Sequence, residues 1–203
     1  MWLYYRFALS YRDIEVLLAE RGVQVTYESI RQWCTKFGPI FAAGLRHRRP
    51  PARPKWHLDE VFIKIAKKTY YLWRAVDADG MVLDILVQER RNQEAAETFL
   101  RRVVVTDKLA SYAPAIRKVL PRAEHRAHKG LNNRAENSHQ PTRQRERRMR
   151  RFKSPEQAQR FLEPFGPIYD HFAPKRHRLS AAVIRQELAE RQGIWREITG
   201  VAA

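Results

Sequence analysis

From Trp56 to Val87 the apolar residues recur with the period of β-strands, and this stretch fixes what the rest of the chain can build around. Trp56–Ile65 carries apolar residues on both faces, as a central strand does. Lys67-Lys68 turns the chain and Thr69–Val76 forms a second strand. Asp77-Ala78-Asp79-Gly80 supplies an Asp-Gly hairpin turn into a third strand, Met81–Val87. Asn92 then caps a helix over Gln93–Arg102 with Ala96, Phe99 and Leu100 inward. Val103–Val105 is a short apolar strand ending at Thr106-Asp107. A helix falls within Lys108–Leu120, stopped by Pro121, with Pro114 obscuring its start. Ala123–His128 reads as a fifth short strand. Asn133 to about Phe152 is helical and very basic, with an interruption at Pro141, and further helices run from the N-cap Ser154 to the C-terminus.

Three antiparallel strands, a helix, a short strand and more helices make an α/β arrangement, a mixed sheet flanked by helices. The order matches the ribonuclease H-like fold, one of several candidates on pattern alone.

Ahead of the strands, residues 10–37 read as two helices. Ser10 caps the first, Asp13 and Glu15 sit in its first turns, Ile14, Leu17 and Leu18 form its apolar stripe, and Gly22 ends it. Thr26 caps the second, which runs to about Phe37 with Ile30, Trp33 and Phe37 on one face. Such a pair is either an ordinary helical hairpin or a helix-turn-helix whose groove-facing residues are Ser29, Arg31, Gln32 and Lys36. Arg46 to Lys55 is a linker kept extended by Pro50, Pro51 and Pro54. The expected division is residues 1–45 for the helix-turn-helix module, 46–55 for the basic linker, 56–175 for the main domain and 176–203 for a basic helical tail.

Charge tips the reading of the helical pair toward DNA binding. Lys and Arg number 39 against 22 Asp and Glu, a net charge of +17. A polyanion partner explains that imbalance, and DNA or RNA is the usual one. The basic residues form no single amphipathic stripe of the kind that lies on an anionic membrane. No apolar run is long enough to span a bilayer, so no membrane partner is expected. The single cysteine, Cys34, builds neither a disulfide framework nor a cysteine zinc site and suits a reducing cytoplasm.

Three carboxylates stand in unusual settings. Asp59 lies mid-strand among Leu58, Val61 and Ile63, where an acid is costly unless paired or metal-bound. Glu60 points to the opposite face. Asp107 follows a strand at its carboxyl end, where α/β folds gather functional groups. Glu136 sits on a helix in the most basic segment: residues 127–153 hold nine Lys and Arg against two Glu, a formal +7. The alternatives are an ion-paired Asp59, a helix-capping Asp107 and a surface ion pair at Glu136. Asp77, Asp79 and Asp84 read as hairpin and surface acids. His57, His125, His128 and His139 fit no common zinc spacing and read as solvated or phosphate-facing, although His139 shares a helix face with Glu136.

Taken together, Trp56–Glu60, Tyr71–Asp77, Val105–Lys108 and the run from Glu124 through Asn132-Asn133-Arg134-Ala135-Glu136-Asn137 to Gln140 resemble the DDE transposases of the insertion sequence six family. The resemblance covers most of the chain. It implies a ribonuclease H-like catalytic domain with Asp59, Asp107 and Glu136 as a metal-binding catalytic triad. It implies two Mg²⁺ ions, with Mn²⁺ as a substitute, and metal-dependent DNA cleavage and strand transfer. The expected DNA contacts are Arg31, Gln32, Lys36, Lys129, Arg134, Arg143, Arg147, Arg150 and Arg151. Expected partners are the element's ends and target DNA. A homodimer or higher assembly on that DNA is expected, in a prokaryotic cytoplasm at the nucleoid. One departure sets up a rival expectation. The family has a longer connection before the strand matching Val103–Val105, whereas here Leu100-Arg101-Arg102 runs straight into Val103. The helix must then end near Phe99 or the strand must shorten. The alternative function is an internally deleted, catalytically impaired copy that only binds DNA.

Overall fold

The computed structural model describes residues 1–49, 56–100, 118, 133–174 and 179–200, with the backbone alone at 98, 100 and 133–137. These residues form helices and one antiparallel sheet, an α/β arrangement. Contacts divide the chain into two units, residues 1–50 with 163–203, and residues 51–162.

The sheet has the order β1-β2-β3, with β1 at Trp56–Ile65, β2 at Lys68–Asp77 and β3 at Val82–Gln88. The β1–β2 turn falls at Ala66-Lys67, one residue earlier than expected. Both residues take positive φ, 47° and 69°, as a tight two-residue hairpin demands of its central pair. At the second hairpin the Asp77 carboxylate accepts from the backbone N–H of Asp79 at 2.9 Å and of Met81 at 3.0 Å. Gly80, at φ 80°, closes the turn.

Register assigns the two faces. Leu58, Trp73, Ala75, Leu83 and Leu86 lie on one face with α4 (Gln93–Leu100), whose Ala95, Ala96 and Phe99 complete the apolar cluster. Asn92 caps α4 as expected, its side-chain oxygen accepting from Ala95 N–H at 3.0 Å. The other face carries His57, Asp59, Val61, Arg74 and Ile85 and receives α5 (Asn133–Arg148). The strands expected at Val103–Val105 and Ala123–His128, and most of the Lys108–Leu120 helix, lie outside the described residues.

Pro141 does not interrupt its helix: α5 runs through it to Arg148. A proline removes one helical hydrogen bond and crowds one carbonyl, and here packing on the sheet holds the helix across the defect. Beyond α5, Arg150 and Arg151 take positive φ, 54° and 72°, before the buried Phe152, which packs on Phe161 within α6 (Pro155–His171).

In the other unit, α1 (Trp2–Arg6) precedes α2 (Tyr11–Ala19), which Ser10 and Asp13 start with reciprocal side-chain-to-backbone bonds. The helix expected to stop at Phe37 instead continues as α3 (Tyr27–Arg48), through Gly38-Pro39. Residues 46–48, expected in the extended linker, are therefore helical. Tertiary contacts override the local stop signal. Ala42 and Leu45 are buried, and Phe41 meets Trp195 of α7 (Ala181–Thr199) edge to face. Gly38 is there because a Cβ would come within 2.5 Å of the Tyr5 hydroxyl, which itself donates to the Cys34 carbonyl at 3.0 Å. Trp33 is 41% exposed, so the expected inward face of α3 holds at Ile30 but not at Trp33.

Candidate active site

Asp59 is placed by the strand that carries it. Alternation along β1 turns Asp59 toward α5 and Glu60 to the opposite face. Glu60 is buried there and pairs with Arg91. Asp59 is only 8% exposed, and its cross-strand neighbour is Arg74, which is 2% exposed. Arg74 donates to the Ser138 carbonyl and to the Thr142 hydroxyl of α5.

His139 completes this group. Its Nε2 lies 3.3 Å from Asp59 Oδ2, and it is buried. Burial above all, then the neighbouring positive charges of Arg74 and Arg143, hold its pKa well below the ordinary histidine value. The contact is therefore carboxylate to neutral imidazole and not an ion pair. Among the described residues neither ring nitrogen makes a hydrogen bond. The expectation of solvated histidines fails at His57 and His139, because both lie on the sheet–α5 side of the fold under buried strands. His125 and His128 lie outside the described residues.

This arrangement has a consequence for acid stability. The unfolded chain binds a proton at His139 with the ordinary histidine affinity, and the folded chain binds it more weakly. Stability is full above about pH 6.5 and falls as pH drops below it. His171, depressed by burial against its bond to the Arg191 carbonyl, acts in the same direction. The thermal unfolding midpoint is expected to drop between pH 7 and pH 5, and less steeply in His139→Gln. An equal slope in that variant would contradict a buried, neutral His139.

Of the expected triad, Asp59 alone has a described side chain. Asp107 lies outside the described residues. Glu136 is placed by its backbone on α5, one turn before His139. Among the described residues no three His, Cys, Asp or Glu side chains gather around a point that would hold a metal. The donor chemistry nevertheless fits a divalent cation. Carboxylate oxygens are the hard ligands Mg²⁺ takes, Asp59 is buried, and the imidazole beside it is uncharged and does not neutralise it.

The expected nucleic-acid contacts fall into separate groups. Arg143 and Arg147 are exposed one turn apart on α5, and Arg150 and Arg151 are exposed in the turn that follows. Arg134 is on α5 by its backbone, and Lys129 lies outside the described residues. On α3, Arg31, Gln32 and Lys36 are exposed. There Glu28 accepts from Arg31 at 2.6 Å and 2.8 Å and from Gln32 at 3.2 Å, and those bonds pull its carboxyl pKa down to about 2.

Sequence reasoning passed over Arg74, Thr142 and Arg145. Arg145 is buried, with its guanidinium 5.8 Å from the Phe161 ring centroid. The available signal was an arginine in the middle of the apolar run Tyr71-Leu72-Trp73-Arg74-Ala75-Val76, opposite Asp59 in the neighbouring strand.

Comparison with known proteins aligns with these features. A family model described as a DDE domain matches residues 53–173. The transposase for insertion sequence-like element IS431mec of Staphylococcus aureus is 33% identical over 190 residues, covering 87% of this chain and 84% of its own length. The transposase for insertion sequence element IS257 in transposon Tn4003, also from Staphylococcus aureus, gives the same identity and coverage. Among solved structures, the cryoEM structure of a simian T-cell lymphotropic virus intasome in complex with PP2A regulatory subunit B56 gamma matches 47% of this chain and 39% of that one. Its identity is 19% and its TM-score 0.35, too slight a likeness to carry an argument.

Proposed function

This chain belongs to the DDE transposases of the insertion sequence six family, enzymes of DNA transposition, and from that premise we propose that Asp59, Asp107 and Glu136 are its catalytic triad. The observation that supports the reading best is Asp59, an acid buried in mid-strand on the sheet face that receives the helix bearing Glu136.

The three carboxylates would hold two Mg²⁺ ions, or Mn²⁺ in their place. When bound, the ions polarise the scissile phosphate and lower the pKa of the attacking water or 3′-hydroxyl. The chain's own residues do the rest. The strand fixes Asp59, burial keeps bulk water from its carboxylate, and the His139 imidazole beside it is uncharged. Arg143, Arg147, Arg150 and Arg151, with Arg134 and Lys129, would hold DNA phosphates. The α2–α3 pair would act as a helix-turn-helix reading the element's ends through Arg31, Gln32 and Lys36. For that, Arg31 and Gln32 would exchange Glu28 for DNA. A homodimer or larger assembly on paired ends, working at the nucleoid in the cytoplasm, fits such a reaction. Among the described residues no helix is long and apolar enough to cross a membrane.

The test is cleavage and joining of oligonucleotides that carry the element's ends, with Mg²⁺, with Mn²⁺ and with chelator. Asp107→Ala and Glu136→Ala are expected to lose both reactions and keep DNA binding. Parental activity in either variant would remove it from the triad. A separate measurement addresses the basic surface. Each of Arg143→Gln, Arg147→Gln and Arg151→Gln is expected to reduce the slope of log affinity against log salt by about 1. A slope that does not change would show that the substituted arginine meets no phosphate.

A further inference from the structure

We propose that Arg74 is a positioning residue, bracing α5 across its proline so that Glu136 is held at the Asp59 edge of the active site. This rests on the triad reading above and adds to it the device that sets the spacing between two of its members.

Arg74 is almost fully buried, and a buried guanidinium is costly unless its donors are used. Its two terminal nitrogens donate to α5, at the Ser138 carbonyl and the Thr142 hydroxyl, two acceptors one helical turn apart. A planar fork bridges such a pair, and the point charge of a lysine does not. Had the only need been a positive charge opposite Asp59, either side chain would serve.

The attachment points flank the weakest turn of the helix. Pro141 offers no N–H to the Asn137 carbonyl, and its ring crowds that carbonyl. Ser138 stands just before this defect and Thr142 just after it, so the two bonds from β2 tie the helix to a rigid strand on either side of the break. Thr142 gains an explanation as well. Threonine is an indifferent helix former, yet it is buried in mid-helix with its hydroxyl on Arg74. Glu136 lies six residues before Thr142, about 9 Å along the axis at the rise of an α-helix. A small tilt about Thr142 is thus amplified at Glu136. A misplacement of about 1 Å at a reacting centre costs on the order of 10²-fold in rate.

The full-length protein with Arg74→Lys is expected to bind end DNA as the parent does, to cleave it ~10²-fold more slowly, and to need more Mn²⁺ for half-maximal cleavage. In metal-free protein, amide exchange in α5 around Pro141 is expected to accelerate while the core strands keep their protection. Thr142→Val is expected to reproduce these effects, and Thr142→Ser, which keeps the hydroxyl, to restore what Thr142→Val loses. The Arg74→Lys, Thr142→Val double variant is expected to be no worse than Arg74→Lys alone. Should Arg74→Lys fail to fold, the Thr142 pair carries the same comparison. Parental α5 exchange and parental cleavage in these variants, or fully additive losses in the double variant, overturn the proposal. Because the exchange experiment contains no metal and no DNA, it judges the brace even if Asp59→Ala, Asp107→Ala and Glu136→Ala all retain cleavage and the triad reading itself falls.

Discussion

Asp59→Asn is expected to abolish cleavage and strand transfer and to leave folding and DNA binding intact. The substitution keeps the shape of the side chain and removes the charge. Metal stabilisation of a phosphoryl-transfer transition state is worth several kcal/mol, so losing one of its anionic ligands is expected to slow the reaction on the order of 10³-fold or more. Affinity for end DNA is expected to stay, because the proposed phosphate contacts are exposed arginines elsewhere. The thermal melt checks that the sheet stays folded, since Asp59 is buried across from the Arg74 guanidinium. The measurement pairs oligonucleotide cleavage with a mobility shift and a thermal melt. Cleavage at the parental rate would mean that Asp59 is an internal ion partner and no ligand.

Trp73→Ala is expected to unfold the sheet-bearing unit at physiological temperature. Trp73 is fully buried on the α4 face, packed with Leu58, Ala75, Ala95, Ala96 and Phe99, its ring centroid 6.2 Å from that of Phe99. Removing a buried tryptophan costs about 3–5 kcal/mol, a large share of the 5–15 kcal/mol that a domain has in all. Urea unfolding followed by circular dichroism reads the loss. The control is Phe62→Ala on the same strand pair. Phe62 is 63% exposed, and a surface truncation of this kind is expected to change stability by about 0.5 kcal/mol or less. Similar midpoints for the two variants would show that the α4 face is not the core of this unit.

The parts of the fold governed by local chemistry were legible in the sequence. Strand alternation, the Asp77–Gly80 turn, and the caps at Ser10, Thr26 and Asn92 each follow from a residue acting on its immediate neighbours. The errors came where distant contacts outweigh a local signal. Gly38-Pro39 and Pro141 each look like helix stops, and each lies inside a helix held by packing. The same division runs through the site. Asp59 stood out because an acid in an apolar strand is costly by itself. Arg74 did not, because its meaning lies in acceptors 64 and 68 residues further along the chain. The burial of His139 likewise depends on a helix closing over a sheet, which no spacing within the helix reveals.

The outer edge of β3 is answered by a side chain. Gln159 Oε1 accepts from Val87 N–H at 2.8 Å, and its Nε2 donates to the Ile85 carbonyl at 3.3 Å. Those are the carbonyl and N–H, two residues apart, that a fourth strand would use. One amide thus imitates a strand, and newly added backbone is refused at β3. The same stopper protects against a stranger's strand, since an unanswered edge is where two copies of a protein adhere. Gln159→Ala would leave the β3 edge unanswered and tend to make it sticky.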